Sequence, residues 1–523
     1  MSLVDQIYDG MKDDIEIIER DGYDKSDSEI DQFFAGQTLF ISGVTGYLGK
    51  CLLEKLLRSC SDIRHIYILM REHKGKLLEE RMEKYFDNVV FKRLREEHPD
   101  FKSKVTIVKG DLMAENLGMS DEDRATIQDR VSVIYHNAAN VKFDVRASVS
   151  LRCNVLGTKK MLELARDCAN LKVFVYVSTA YSHLYKKDIE EQFYPPPADL
   201  QAVQEAIEAD ERTEGGLPED QLQALIGKFP NIYPYSKAIA EDLVRQYASN
   251  AKFAHAIYRP SIVVSAYKEP LPGWCGNTNG PVYIFLAAAL GFIRAVYHYC
   301  LPLDFVPSDL CINALIAVTR DAHVQWDKHQ RQPVVYNYGS STVNPITFVM
   351  IRDLFDKVIP PNERSVKAVW LNHPLLIDRM WLFYLLHFLL HFLPACMIDF
   401  ILLLSGKKPR VLAIFWKATQ HLDKIDYFGN GNWKIHMPRT LQVIDKMNAA
   451  DRDIFYCDIR NFSWEEHTRI TWRGLKLYIL KEEIVSEAAE RRYYVLWYLH
   501  YGFITLCLLA IFYMLWALIN LVL

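Results

Sequence analysis

The chain has 523 residues, of which 50% are hydrophobic and 24% charged, and its formal net charge is −4. This length exceeds one usual domain, and the composition indicates two globular parts together with a membranous element. The charge argues against a nucleic-acid-binding protein, because no basic surplus is available to neutralise phosphates. The ten cysteines show no C-x-x-C pair or metal-like spacing, so we expect reduced, mostly buried thiols.

The N-terminal segment, residues 1–35, is polar and acidic, and we expect it to be loosely ordered. It has neither a basic n-region nor an apolar h-region, so no signal peptide is predicted. From residue 37 onward, short apolar runs alternate with helical or polar stretches, which predicts a doubly wound α/β fold with a parallel sheet. After the run at residues 39–41, the predicted strands are 66–70, 105–108, 131–135, 173–177 and 256–258. Residues 190–227 are rich in proline and acids and are predicted to form a surface insertion.

Three glycines follow the first apolar run at three-residue spacing. They are Gly43, Gly46 and Gly49, and leucines then recur at helical period, so the glycines lie where a strand leads into a helix. One glycine suits a tight turn, one allows the backbone to approach phosphates, and one allows close helix–strand packing. The helix N-terminus adds N–H donors and partial positive charge, so the stretch predicts a dinucleotide-binding turn.

Residues after the next strands indicate which dinucleotide would bind. Arg71 ends the second strand, with Lys74 and Lys76 close behind. An acid at this place holds the ribose 2′-hydroxyl of NAD, whereas a base suits the 2′-phosphate of NADPH. The basic residues therefore favour NADPH. The alternative is that they are solvated charges at the end of a strand and bind no cofactor. Asp111 follows the third strand and is a candidate for the adenine, although a turn or helix cap is the alternative.

The small residues Asn137 and Ala138 end the fourth strand, where a cofactor can lie against the backbone or where small residues simply pack well.

A second group of polar residues suggests catalysis. Ser178 and Thr179 end the fifth strand, and Tyr233 and Lys237 open a helix.

A tyrosine and a lysine four residues apart share one helical face. The ammonium of Lys237 can therefore lower the pKa of the Tyr233 phenol and make it a proton donor near neutral pH. Together with the glycine turn, this pattern predicts a reductase triad, and it does not decide between Ser178 and Thr179.

The C-terminal stretch from Val495 to Leu523 contains no Asp, Glu, Lys or Arg, which predicts a transmembrane helix. Arg491 and Arg492 precede it and nothing basic follows, so the positive-inside bias places the preceding chain in the cytosol. We therefore expect a tail-anchored protein.

Residues 381–404 are nearly as apolar. His387, His391, Pro394 and Asp399 nevertheless favour an interfacial or buried helix pair over a second span. The two histidines are spaced like a zinc pair, but no third ligand is nearby, so no metal site is predicted.

Beyond these patterns, the chain resembles the fatty acyl-CoA reductases, a family with the extended short-chain dehydrogenase/reductase fold. The resemblance covers nearly the whole chain and is far more specific than any single motif. It rests on residues 31–36, 136–144, 154–158, 177–181, 258–263, 304–309, 344–347 and 391–395.

The resemblance implies an NADP-binding reductase domain at 36–365, a smaller, mainly helical family domain at 366–480 and a membrane tail at 495–523. It implies reduction of long-chain or very-long-chain acyl-CoA to the primary alcohol through a bound aldehyde. Tyr233 would be the general acid, Lys237 would bind the nicotinamide ribose, and Ser178 or Thr179 would hold the substrate oxygen. The implied residues for NADPH are Gly43, Thr45, Gly46, Tyr47, Leu48, Gly49, Arg71, Asp111, Leu112, Asn137, Ala138, Lys237, Pro260 and Ile262.

The expected partners are a long-chain acyl-CoA, a lipid membrane and, as one option, a second copy of the chain; no nucleic acid is expected. The endoplasmic reticulum and the peroxisome fit the tail anchor, with the lipid droplet as a further option. The segment at 381–404 could line an acyl tunnel or dip into the leaflet.

A membrane-attached hydroxysteroid dehydrogenase and a non-catalytic membrane scaffold are the alternatives to an acyl-CoA reductase. The fused C-terminal domain disfavours the first, and the intact triad disfavours the second.

Overall fold

The computed structural model describes residues 25–72, 78–276, 280–298, 301–328 and 332–522. The start of the acidic segment, Lys74, Lys76 and Cys300 lie outside these residues. The end of the acidic segment is a packed helix instead of the loose tail expected from the sequence. Ile30 and Phe34 are buried there, and the Ser28 hydroxyl donates a hydrogen bond of 2.5 Å to Asp451 near the other end of the chain.

The strands are short, as is usual in α/β proteins. In chain order they are β1 (Thr38–Ser42), β2 (His65–Met70), β3 (Val105–Lys109), β4 (Val133–His136), β5 (Val173–Val177), β6 (Asp188–Ile189), β7 (Ala254–Pro260), β8 (Ile262–Val264), β9 (Ala295–Tyr297), β10 (Phe305–Pro307), β11 (Val334–Tyr338), β12 (Leu375–Ile377) and β13 (Lys434–Ile435).

The helices of the N-terminal two thirds are α1 (Glu29–Phe34), α2 (Tyr47–Ser59), α3 (Leu78–Phe86), α4 (Lys92–Glu97), α5 (Asp121–Arg130), α6 (Ala147–Leu151), α7 (Gly157–Arg166), α8 (Leu200–Arg212), α9 (Glu219–Ile226), α10 (Ile232–Ala248), α11 (Pro281–Ala289) and α12 (Ser308–Lys328). They are followed by α13 (Phe348–Val358), α14 (Met380–His387), α15 (Leu393–Leu404), α16 (Val411–Gly429), α17 (Pro438–Lys446), α18 (Ala449–Ile454), α19 (Trp464–Gly474) and α20 (Glu487–Val522). Wider π-type turns cover Arg152–Leu156, Phe388–Phe392 and Leu475–Leu480.

Seven parallel strands form the central sheet, in the order β11-β7-β5-β4-β1-β2-β3. Alternate residues of β1 pack on opposite faces: Leu39 and Ile41 join one hydrophobic cluster, and Phe40 joins the other. Helices therefore cover both faces, which confirms the doubly wound fold predicted from the sequence. The strand order reverses between β1 and β4, which is where such sheets bind ligands at the carboxyl ends of their strands.

The predicted insertion at 190–227 contains α8 and α9. Val203 and Ile207 of α8 are buried in the core, so this part of the insertion belongs to the body of the protein. The chain beyond the sheet also returns to it, since the Tyr338 hydroxyl of β11 donates a 2.8 Å hydrogen bond to the carbonyl of Cys457. Every cysteine that the structure describes is free of disulfides.

Two helical runs are long and apolar enough to cross a membrane: Met380–Leu404, with mean hydropathy 1.9, and Glu487–Leu521, with mean hydropathy 2.4. The first run is one continuous helical stretch instead of the helix pair expected from the sequence, and it is not buried, because only 11% of its apolar window lies inside the protein. Pro394 does not break the run, since it lies in the first turn of α15 directly after a π-type turn. Asp399 accepts hydrogen bonds of 2.9 Å from the N–H groups of residues 410, 411 and 412, so it caps α16.

Candidate active site

The glycine turn between β1 and α2 has the close contacts that a dinucleotide site requires. Gly43 has a φ of +78°, and a Cβ at this position would lie 2.6 Å from the backbone nitrogen of Ala138. A Cβ at Gly49 would lie 2.2 Å from the carbonyl oxygen of Gly43. Gly46 caps α2 without a side-chain hydrogen bond, so no capping side chain competes with a phosphate for the helix N-terminus. The turn thus fits a pyrophosphate.

The other residues of the turn differ in what they can offer. The Tyr47 hydroxyl donates hydrogen bonds of 3.0 and 3.1 Å to the carbonyls of Val264 and Trp274. Its side chain therefore anchors the turn, and only its backbone remains for a phosphate. Thr45 is exposed at the rim, and Leu48 is half-buried.

The residues predicted to hold the adenosine half lie together. An Arg71 guanidinium nitrogen is 3.9 Å from a carboxylate oxygen of Asp111, and the two side chains are 70% and 38% exposed. Asp111 also accepts a 3.0 Å hydrogen bond from the backbone of Met113, so the turn-cap alternative holds as well. Leu112 is buried. An exposed arginine at this edge is free to meet a charged group on a ribose.

Asn137 and Ala138 pack directly against the glycine turn. The Ala138 N–H donates a 3.2 Å hydrogen bond to the Ser42 hydroxyl, and the Asn137 amide lies 3.5 Å from the Gly43 carbonyl. Pro260 ends β7, and Ile262 begins β8, where it is in register with Phe305 of β10. The structure therefore brings β1 and β4 together at the predicted cofactor site, while Ile262 lies on the neighbouring strand pair.

The predicted triad assembles where β5 ends against α10. The Thr179 hydroxyl lies near the Tyr233 phenol and favours its ionised form. The ammonium of Lys237 donates a 2.7 Å hydrogen bond to the Val177 carbonyl and lies 4.6 Å from the centre of the Tyr176 ring. Ser178 does not face Tyr233 in this way, because its hydroxyl donates to Glu241. Of the two strand hydroxyls, Thr179 is therefore the one that interacts with Tyr233.

The pKa values of Tyr233 and Lys237 differ from those expected from the sequence. Burial raises the pKa of Tyr233, and the nearby Thr179 hydroxyl offsets only part of that effect. Burial also lowers the pKa of Lys237 to about 8, against the opposing influence of Glu241. The expected lowering of the Tyr233 pKa is not seen here, because the effect of burial dominates, and the phenol stays protonated throughout the neutral range.

The sequence reasoning missed a buried carboxylate beside the triad. Glu241 is one helical turn beyond Lys237, and it accepts hydrogen bonds of 2.8 Å from both Ser182 and His183. Arg259 completes the network with a 2.6 Å ion pair. Burial alone would raise the pKa of Glu241, but Arg259 and His183 outweigh that effect and lower it. Arg259 lies in one of the motifs of the resemblance, and Glu241 continues the face of Tyr233 and Lys237 at i+4, which is the signal that could have found it.

Comparisons with known proteins agree with this geometry. Family models described as male sterility protein match residues 41–315, as an NAD-binding unit, and residues 390–482. Fatty acyl-CoA reductase 1 of Rattus norvegicus is 34% identical over 491 residues, covering 92% of each chain. Fatty acyl-CoA reductase wat of Drosophila melanogaster is 32% identical over 503 residues, covering 94% of this chain and 93% of its own. The chain belongs to the fatty acyl-CoA reductase family. This reductase is therefore an oxidoreductase with a nicotinamide-binding domain.

Solved structures show the same fold as the reductase. The reductase domain of a non-ribosomal peptide synthetase from Mycobacterium tuberculosis matches with a TM-score of 0.56 at 16% identity, covering 91% of this chain and 97% of its own. The terminal R domain from the myxalamid PKS-NRPS biosynthetic pathway matches with a TM-score of 0.54 at 18% identity, covering 86% and 93%.

No group of three or more His, Cys, Asp or Glu is placed to hold a metal in the part of the chain that the structure describes. His387 and His391 contact each other at 3.0 Å. His391 also accepts a 2.9 Å hydrogen bond from the backbone of Arg294, and His387 lies 3.2 Å from the Thr419 hydroxyl. These contacts connect the apolar run Met380–Leu404 with the start of β9 and with α16, so the two histidines have a structural role.

Proposed function

We propose that this reductase converts a long-chain acyl-CoA to the primary alcohol with NADPH, in two reductions at one site. The observation that carries the proposal is the meeting of Tyr233, Thr179 and Lys237 at the carboxyl end of β5, beside a turn shaped for a pyrophosphate. The names of the relatives support an acyl-CoA substrate. The exposed Arg71 guanidinium supports NADPH, because a base suits the 2′-phosphate.

The residues present fit this cofactor. The backbone of the turn at 43–49 would hold the pyrophosphate, Arg71 the 2′-phosphate, and Asp111 with Leu112 the adenine. Asn137, Ala138, Lys237, Pro260 and Ile262 would surround the nicotinamide half. When bound there, the cofactor supplies the hydride.

Tyr233 and Thr179 would act on the substrate oxygen. Both hydroxyls can donate hydrogen bonds to the negative charge that develops when hydride adds to the thioester carbonyl, and donors fixed in advance contribute strongly at this point. Because burial raises its pKa, Tyr233 holds its proton until the oxygen becomes basic enough to take it. Lys237, with its pKa lowered to about 8, would hydrogen-bond the ribose. Ser178 is engaged by Glu241 and serves as a positioning residue.

The first reduction gives a hemithioacetal, which releases CoA as a thiol and leaves an aldehyde. The aldehyde takes a second hydride, and a proton reaches its oxygen through Tyr233. The same residues serve both reductions, so the acyl chain stays bound while CoA leaves and the cofactor is exchanged.

Turnover by the full-length, detergent-purified protein tests the proposal. We expect alcohol, identified by mass spectrometry, at a ratio of two NADPH oxidised per acyl-CoA. We expect Tyr233→Phe to lose both half-reactions together. Aldehyde accumulating in that variant would contradict a single site. NADPH binding without turnover of any acyl-CoA would shift the assignment to a sterol-type substrate or a scaffold.

We also propose that α20 anchors the reductase with residues 1–494 in the cytosol, at the endoplasmic reticulum or the peroxisome. Arg491 and Arg492 just before the apolar stretch support this orientation. An epitope at the N-terminus should be digested by protease added to intact organelles from cells expressing the protein. Its protection until detergent is added would contradict the orientation.

A further inference from the structure

An apolar cavity of about 120 Å³ lies between α11, α13, α19 and the β8–β10 pair. Its walls include Ile284, Phe305, Phe348, Ile351 and Trp464. It lies apart from the glycine turn, since none of the turn residues lines it.

The polar side chains of the cavity wall bond to the protein itself. Thr468 and Thr471 donate or share hydrogen bonds of 2.8 and 2.6 Å with the Trp464 carbonyl and the Ser265 hydroxyl. His467 lies 3.1 Å from the Ser265 carbonyl. Asn372 accepts a 2.8 Å hydrogen bond from Arg364, and Arg352 donates one of 2.9 Å to Asp353. A ligand therefore meets hydrocarbon surface here, so the cavity selects for an apolar group.

An aromatic cluster connects this cavity with the catalytic tyrosine. Phe428, at the end of α16, stacks on Phe143 with ring centres 5.4 Å apart, and the Phe143 ring is 6.1 Å from that of Tyr233. A Cβ on the next residue, Gly429, would lie 3.7 Å from the ring of Phe348 in the cavity wall. Phe428 and Gly429 thus lie between the site and the cavity.

The strand β8 makes the same connection from the other side. Ile262 and Phe428 both pack against one buried cluster, which includes Tyr181 and Ile435. Its partner in register, Phe305, lines the cavity. Val264, two residues further on the same face of the strand, also lines it.

We propose that this cavity binds the hydrocarbon chain of the acyl substrate, and that the chain reaches it from Tyr233 by passing Phe428. The inference rests on the proposed function, because it requires an acyl-CoA to be bound at Tyr233. Each methylene buried in such a cavity raises affinity about fourfold. The depth of the cavity then sets the preferred chain length.

Adjacent residues of α13 provide a matched pair of variants. Ile351 lines the cavity, whereas Met350 is 41% exposed. We expect Ile351→Trp in the full-length enzyme to lower kcat/KM for hexadecanoyl-CoA, relative to octanoyl-CoA, by about tenfold or more. Met350→Trp should leave this ratio unchanged, and Ile351→Ala should shift the optimum toward longer chains.

Octanoyl-CoA turnover reports whether each variant is folded, so the ratio separates a loss of fold from a change of cavity. Equal ratios in Ile351→Trp, Ile351→Ala and the wild type would overturn the inference while leaving the proposed function intact. If the wild type reduces no acyl-CoA, the proposed function fails and the inference fails with it.

A second pair of variants tests whether the acyl chain passes Phe428 on its way to the cavity. Tyr427 contacts the Phe428 ring at 5.7 Å and is 42% exposed. We expect Phe428→Ala to raise kcat/KM for an acyl-CoA with a methyl branch further along the chain, relative to the straight chain, by about tenfold, because removal of the ring would widen the proposed passage. Tyr427→Ala should not change this ratio. The same ratio in both variants would contradict passage of the chain at Phe428.

Discussion

Substitution of the two neighbouring hydroxyls at the end of β5 should affect kcat very differently. Thr179 interacts with Tyr233, and Thr179→Val would remove the proposed donor to the substrate oxygen, so we expect kcat to fall about 10²–10³-fold. Ser178 donates to Glu241, one of several donors to that carboxylate. Ser178→Ala should therefore leave kcat within about tenfold of the wild type.

The cost of Ser178→Ala should appear in stability. A hydrogen bond to a charged group contributes about 1.5–3 kcal/mol, and Glu241 retains Ser182, His183 and Arg259 as partners. We expect a fall in Tm of a few degrees. Thr179→Val should also lower Tm, because its hydroxyl accepts a 3.2 Å hydrogen bond from the Tyr181 N–H, so the effect on kcat is what distinguishes the two variants. The assays are NADPH oxidation with hexadecanoyl-CoA and thermal unfolding in the same detergent. A large loss of kcat in Ser178→Ala with near-normal Thr179→Val would refute the assignment.

Three further outcomes are expected. Gly49→Ala should weaken NADPH binding about tenfold or more in a fluorescence titration, because the new Cβ would lie 2.2 Å from the Gly43 carbonyl; unchanged affinity would contradict the pyrophosphate turn. Arg71→Ala should raise KM for NADPH about 10–100-fold and spare KM for NADH, whereas equal effects on both would remove the argument for NADPH. The pKa of Lys237 is lowered to about 8, so its charge is lost above that pH and kcat/KM should fall there. In a Lys237→Arg variant that retains activity, the decrease of kcat/KM should occur at higher pH. If the pH profile of kcat/KM is unchanged in this variant, the decrease reports the titration of another group.

Much of the fold could be predicted from local patterns. The apolar runs and the alternation of strands and helices located most of the central sheet, because buried parallel strands are continuous hydrophobic stretches. β11 was missed, since it mixes Asn337 and tyrosines with its valines. Pro394 predicted a helix break, but that local rule does not account for the π-type turn before it.

The site was predictable where its residues are close in sequence, as in the glycine turn and the Tyr233–Lys237 pair. Glu241 was missed because its partners come from two separate parts of the chain, residues 178–183 and Arg259, and its i+4 spacing from Lys237 does not report that they meet. The choice between Ser178 and Thr179 has the same origin, since it depends on which hydroxyl the carboxylate engages. The pKa of Tyr233 depends on burial, which the spacing of Tyr and Lys does not report.

The carboxylate of Glu241 holds three elements at once: α10, which carries it, the end of β5 through Ser178 and Ser182, and β7 through Arg259. Thr179 lies between two of these attachment points. Its hydroxyl is therefore preorganised, and the entropy of fixing it is lost when the protein folds. The reacting complex then needs little reorganisation of these groups in either of the two proposed reductions.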